Sequence, residues 1–185
     1  MELTTKRLII RPWQEADADN LYKYAQDPRI GSMTGFPAHT SREYSLDIIR
    51  RILVNRGLYA VCLKNDNLPI GYIGMHPGKQ KQYKLDNAIE ISYWLGVPFW
   101  GQELMPEAIR RFQQHIFEDL PFEAIWCSYC EGNENSRKCM EKCGFIYHHT
   151  EENTPYIFLH ELRTEHFHLL TKTDWAKNLA LNVSK

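Results

Sequence analysis

The residue in this chain whose setting most suggests chemistry is Glu90. It lies in the run NAIEISYWLGVPFWGQELMPEAIRRFQQHIF, Asn87 to Phe117, which reads as a strand, a glycine-containing turn and a helix. A carboxylate on such a strand can serve as a general base. The turn holding Gly96 and Gly101 delivers the chain to a helix N-terminus, whose first N–H groups have no intrahelical acceptor and whose dipole is positive. That arrangement suits a phosphate. A solvated glutamate and an ordinary strand-to-helix connection are the plainer readings.

The elements that would position these residues follow from periodicity. Ile89, Ile91, Tyr93 and Leu95 alternate with Ala88, Glu90, Ser92 and Trp94, the period of a pleated strand with two faces. Leu104, Ala108, Phe112 and Ile116 recur every four residues, with Pro106 in the first helical turn, where proline is tolerated. Before this unit the sequence predicts a strand at Arg7 to Trp13 and a helix at Glu15 to Gln26, stopped by Asp27-Pro28. Arg29 to Thr40 reads as a mobile loop whose Met33 and Phe36 face the core margin or a substrate entrance. A helix at Ser41 to Arg56 is capped by Ser41 and closed by Gly57. Strands at Tyr59 to Lys64 and Pro69 to Met75 are joined by the turn Asn65-Asp66-Asn67, and a basic loop spans Lys79 to Lys84. Gly71 and Gly74 suggest a bulge or close backbone approach. Past the central helix come a strand at Phe122 to Cys130, a short helix at Asn133 to Cys143, a strand at Phe145 to His149, a polar loop at Glu151 to Pro155 and a strand-like Thr164 to Thr171.

Composition bounds the function. The 185 residues fit one domain, 1–185, with 43% apolar and 24% charged residues. A net charge of −1 without a run of basic residues gives no reason to expect nucleic acid or an anionic membrane as partner. Five cysteines and no export signal point to reduced thiols and a cytoplasmic location. A homodimer stays open.

Three segments together resemble the GNAT superfamily of N-acetyltransferases, in particular its branch of ribosomal-protein N-terminal acetyltransferases. They are TKRLIIRPWQEADADNLYKYAQDPRI, EISYWLGVPFWGQELMPEAIRRF, and Asn133-x-x-Ser136 followed by Glu141-Lys142-Cys143-Gly144-Phe145; HFHLLTKTDW is similar to the closing strand. The resemblance implies an α/β (α+β) fold, a mixed, mostly antiparallel seven-stranded sheet flanked by about four helices. It implies acetyl-CoA as co-substrate, a primary amine as acceptor (a protein N-terminus or a small amine), a ternary complex and no metal. The pantetheine would pair with the strand at Tyr93, Trp94, Leu95 and Gly96. The pyrophosphate would meet the turn of Gly101, Gln102, Glu103, Leu104, Met105 and Pro106. Glu90 would take the amine's proton, Ser136 would protonate the thiolate, and Asn133 with Ser136 would hold the pantetheine arm. Trp13, Met33, Phe36 and Tyr156 would shape the acceptor pocket.

Two positions depart from the family pattern: Glu103 stands where glycine is usual, and Met105 where a small residue is. A carboxylate beside a pyrophosphate is repulsive unless it swings outward. An inactive CoA-binding or interaction module is therefore the alternative reading. Cys127-x-x-Cys130 with Cys139 and Cys143 invites zinc, but residues three apart on a strand point to opposite faces. His166 and His168, and the pair His148-His149, suit half-exposed strands without a metal. Dinucleotide, P-loop and serine-hydrolase motifs are absent from the sequence.

Overall fold

In a computed structural model of the chain, which describes residues 1–55, 57–77, 85 and 87–183, the strand carrying Glu90 is the fifth of eight in one sheet. The strands are β1 (Leu3–Thr4), β2 (Leu8–Pro12), β3 (Leu58–Leu63), β4 (Pro69–Pro77), β5 (Ala88–Leu95), β6 (Ala124–Cys130), β7 (Ile146–Tyr156) and β8 (Glu161–Thr171). They lie in the order β1-β2-β3-β4-β5-β6-β8-β7, and every neighbouring pair is antiparallel except β5 and β6. Among the described residues six α-helices flank the sheet: α1 (Ala18–Ala25), α2 (Pro28–Thr34), α3 (Arg42–Ile48), α4 (Leu104–Asp119), α5 (Glu134–Lys142) and α6 (Lys172–Val183). The mixed α/β class agrees with the sequence reading; the counts exceed it by one strand, the short β1, and by helices that include α2 and α6.

Each difference has a local cause. Arg29 to Thr40 is a loop in the sequence reading, yet it opens with α2. The Asp27 carboxylate accepts the Arg29 N–H at 3.0 Å and Pro28 takes the first helical position, so the pair that ends α1 also starts the next helix. Gly35, at φ 84, ends it. The polar run Glu151 to Pro155 belongs to β7. It is the sheet's edge, where polar side chains face water and two register irregularities interrupt the ladder. Ser41 caps α3 by accepting the Tyr44 N–H at 3.0 Å, and the helix continues as a π-helical turn over Ile49–Leu53. The Lys79 to Lys84 loop lies outside the described residues.

The alternation of β5 sorts its side chains into two cores. Ile89, Ile91 and Leu95 pack on one face against the buried stripe Leu104, Ala108, Phe112 and Ile116 of α4. Trp94 faces the other way, among Trp13, Leu21, Ile30 and Ile49 beneath α1, α2 and α3. The second core is locked by Arg11, whose guanidinium donates to both oxygens of Asp17 at 2.8 Å and also reaches the side chain and carbonyl of Asn67 at 2.9 Å. This ties β2 to the helical turn after it and to the β3–β4 turn. The hydrogen bond to Asp17 raises the already high pKa of Arg11.

Both members of that pair are 4% exposed, so removing one leaves a buried charge. Asp17→Ala should cost roughly 3–5 kcal/mol, read as a lower midpoint in urea unfolding. His39 gives a second expectation. It is buried between Phe36 and Tyr44 with Nδ1 2.7 Å from Ser45 Oγ, and burial pushes its pKa down to about 4. The unfolded chain takes up this proton near 6.5 and the folded one near 4, so stability should fall as pH drops through that window, by up to about 3 kcal/mol. His39→Gln should flatten that part of the unfolding pH profile.

Candidate active site

Strands β5 and β6 pair for only three residues: Ala88 with Ala124, Ile89 with Ile125, Glu90 with Trp126. Beyond Glu90 they part. β5 runs on to Leu95 bonded to β4, and β6 runs on to Cys130 bonded to β8. Among the described residues, the facing edges past the fork therefore have no strand partner for their N–H and C=O groups, an opening that accepts an extended chain bearing amides. The Leu95 carbonyl is already taken by Trp100 Nε1 at 2.6 Å.

A cavity of about 740 Å³ fills this fork. Glu90 stands at its apex, 8% exposed, on the face shared with Ser92 and Trp94. Opposite it in register on β4 is His76, whose Nε2 lies 2.6 Å from Ser92 Oγ and 3.1 Å from the Tyr72 hydroxyl. Gly74 leaves the space over which the Tyr72 ring lies, since a Cβ there would meet its hydroxyl at 2.1 Å. Tyr93 points through the opposite face, where its hydroxyl shares a 3.0 Å hydrogen bond with Ser136 Oγ. Burial holds the Tyr93 phenol well above its ordinary pKa, so it stays protonated. Burial, with the Glu90 charge adding, likewise keeps the Cys127 thiol protonated and unreactive. Glu90 and Ser136 thus reach one cavity from opposite faces of the sheet.

The turn between β5 and α4 is shaped by two residues in the left-handed region, Gly101 at φ 74 and Glu103 at φ 59. Arg7 holds it from outside. Its NH1 donates to the Gln102 carbonyl at 2.9 Å and its NH2 to the Glu103 carbonyl at 3.1 Å, while Nε binds Glu107 at 2.7 Å. In a trans peptide the N–H points opposite to the C=O, so carbonyls drawn toward Arg7 turn the next two N–H groups, of Glu103 and Leu104, the other way. The Glu103 carboxylate swings out to the Lys142 ammonium on α5, which holds its pKa below the usual carboxylate range. Met105 is buried in the core under α4. Neither departure from the family pattern blocks the turn.

Most of the sequence-predicted residues meet at the cavity: Glu90, Tyr93, Trp94, Leu95, Gly101, Glu103, Leu104, Met105, Pro106, Asn133, Ser136, Met33 and Tyr156. Asn133 also caps α5, its Oδ1 accepting the Ser136 N–H at 3.2 Å. Four residues sit elsewhere. Gly96 is pressed against the Tyr24 ring and the Ile70 carbonyl, and the Gln102 side chain folds back to the Pro98 carbonyl. Trp13 is buried in the second core and Phe36 packs against it, with its ring near Trp94, so neither lines the cavity. Arg7, Lys142 and Glu165 were not singled out from the sequence; the first two act across tertiary contacts that no local pattern marks.

A sequence model of the acetyltransferase (GNAT) domain matches residues 7–146. A Bacillus subtilis protein, provisionally named ribosomal N-acetyltransferase YdaF, is 26% identical over 179 residues, spanning 92% of this chain and 94% of its own. The fold matches the crystal structure of a GNAT-family acetyltransferase from Bacillus anthracis with a TM-score of 0.81 at 18% identity, over 94% and 99% of the two chains. It also matches the microcin C7 self-immunity acetyltransferase MccE, solved with acetyl-CoA and AMP, with a TM-score of 0.75 at 16% identity over 90% and 93%.

The contacts of Arg7 make it a positioning residue for the turn. Arg7→Ala should weaken acetyl-CoA binding about tenfold by calorimetry, while binding of acetyl-pantetheine, which lacks the pyrophosphate, stays unchanged.

Proposed function

This chain belongs to the GNAT family of acetyltransferases, and we propose that it moves the acetyl group of acetyl-CoA to a primary amine by direct attack in a ternary complex. The observation that carries this reading is the fork itself, with a buried carboxylate at the point where β5 and β6 separate. The pantetheine amides would pair with the open edges beyond Glu90, and the pyrophosphate would meet the N–H groups of Glu103 and Leu104. The Lys142 ammonium at the rim keeps the Glu103 carboxylate from facing the pyrophosphate.

An ammonium has no lone pair, so the acceptor must lose a proton before it attacks the thioester carbon. Glu90 takes that proton, directly or through water. An N–H of the free β5 edge stabilises the oxyanion. Collapse expels the thiolate, and Ser136 protonates it from the other face, its Oγ held by Tyr93. The acceptor is a protein N-terminus or a small amine; the name of the Bacillus subtilis relative favours the former. The outward turn of Glu103 and the burial of Met105 speak against an inactive module.

Glu90→Gln should lower kcat by about a hundredfold or more with acetyl-CoA affinity unchanged, measured by thiol release and calorimetry. Ser136→Ala should lower kcat by about tenfold or more, with a smaller loss of acetyl-CoA affinity from its share in holding the pantetheine arm. An unchanged rate for Glu90→Gln would remove it as the base.

A further inference from the structure

Building on the acetyl-transfer reading, we propose that Glu165 binds a second cationic group of the acceptor, making the enzyme selective for amines that carry two positive charges. Glu165 lines the same cavity from β8 and is 4% exposed. It pairs in register with Cys130, which alternation puts on the same face as Trp126, the partner of Glu90. The two carboxylates therefore share one face, separated by four residues along β6, about 13 Å.

The Glu165 carboxylate is half-satisfied. Its Oε1 accepts the Ser128 hydroxyl at 2.5 Å, and its Oε2 is buried with no hydrogen-bond partner. A buried acceptor left unmade is costly, and a buried carboxylate without a cation more so. Neighbouring cations are committed elsewhere: Arg163 to Glu161 and the Ser32 carbonyl, Arg29 to Asp27. The cross-strand residue on β7 is a further acid, Glu151. Burial, the hydrogen bond with Cys130 and the nearby Glu165 carboxylate all raise the pKa of the Tyr156 hydroxyl, which stands beside Glu165 as a neutral neighbour and supplies no positive charge. An acceptor that places its reacting nitrogen near Glu90 and a second ammonium at Oε2 would complete both carboxylates.

Two sources supply that chemistry, a polyamine and a peptide N-terminus followed by lysine. The test measures thiol release by wild type and Glu165→Gln with spermidine against n-butylamine, and with two tripeptides differing only in lysine or norleucine at the second position. Glutamine keeps the volume and the Ser128 bond while removing the charge. Wild type should favour the member of each pair that carries additional ammonium charge, and E165Q should lose that preference about tenfold or more through acceptor KM. Rates on the monocationic member and the acetyl-CoA KM should not move. Loss on the spermidine pair identifies a small polyamine, and loss on the peptide pair a protein N-terminus. No preference of wild type for the additional ammonium, or equal loss on both members, overturns the proposal. If wild type releases no thiol with any amine, the transfer reading fails on its own. Calorimetry of spermidine and the lysine peptide into the acetyl-CoA complex then decides: binding that E165Q abolishes sustains the subsite, and no binding overturns it.

Discussion

The parallel pairing of β5 and β6 lasts three residues, and the rest of the site depends on where it stops. Each strand stays fully bonded on its other side, β5 to β4 as far as Leu95 and β6 to β8 as far as Cys130. The two halves of the sheet are thus each held rigid while the seam between them opens. Hydrophobic packing maintains the divergence: α4 buries its apolar stripe against β5, and the Met140 and Cys143 side chains of the α5 region pack into the same core. An opening in the middle of a sheet would ordinarily strand backbone polar groups in a dry interior. Here it faces a cavity, so those groups remain available to a ligand.

The turn that follows β5 depends on a different balance. A non-glycine residue in the left-handed region costs on the order of 1 kcal/mol, and Glu103 occupies that region at the entrance to α4. The same side chain reaches Lys142, while Arg7 draws the adjoining carbonyls outward. Because the Glu103–Lys142 pair is half exposed, its worth lies less in stability than in placement. It turns the carboxylate outward, away from the N–H groups of the turn, and pairs it with the Lys142 ammonium. A residue that looks hostile to an anion in the sequence thereby becomes compatible with one.

Much of the central unit was legible because local rules and tertiary demands agree there. The period-2 run at Ala88 to Leu95 and the four-residue stripe of α4 each face a real core, so pattern and structure coincide. The reading failed where tertiary context outweighed pattern. Glu151 to Pro155 is polar because β7 is an edge, and polarity was mistaken for a loop. Asp27-Pro28 is at once a stop and a start, and only the stop was read. Trp13 and Phe36 have the character of pocket aromatics, but the register of β2 and the path after α2 carry them into the second core. Arg7 and Lys142 were beyond reach because their partners lie 95 and 39 residues away. Glu165 did leave a trace: it is an acid on the buried phase of an alternating strand, a position apolar residues normally fill.

The fork also resolves a conflict in the chemistry. Acyl transfer to an amine needs a group that accepts a proton and another that gives one up, and two such groups in contact would neutralise each other's function by exchanging the proton directly. The alternation of β5 separates them. Glu90 projects to the α1–α3 side with Ser92 and Trp94, while Tyr93, the third residue after Glu90, projects to the α4–α5 side and holds Ser136. In a continuous sheet that separation would put them in different compartments, with backbone between. Because β6 has left β5 at Glu90, the two faces communicate through the slot, and a thioester lying in it would meet the base from one side and the acid from the other. The early end of one ladder is therefore what brings Glu90, from one face of β5, and Ser136, held by Tyr93 on the other, to a single cavity.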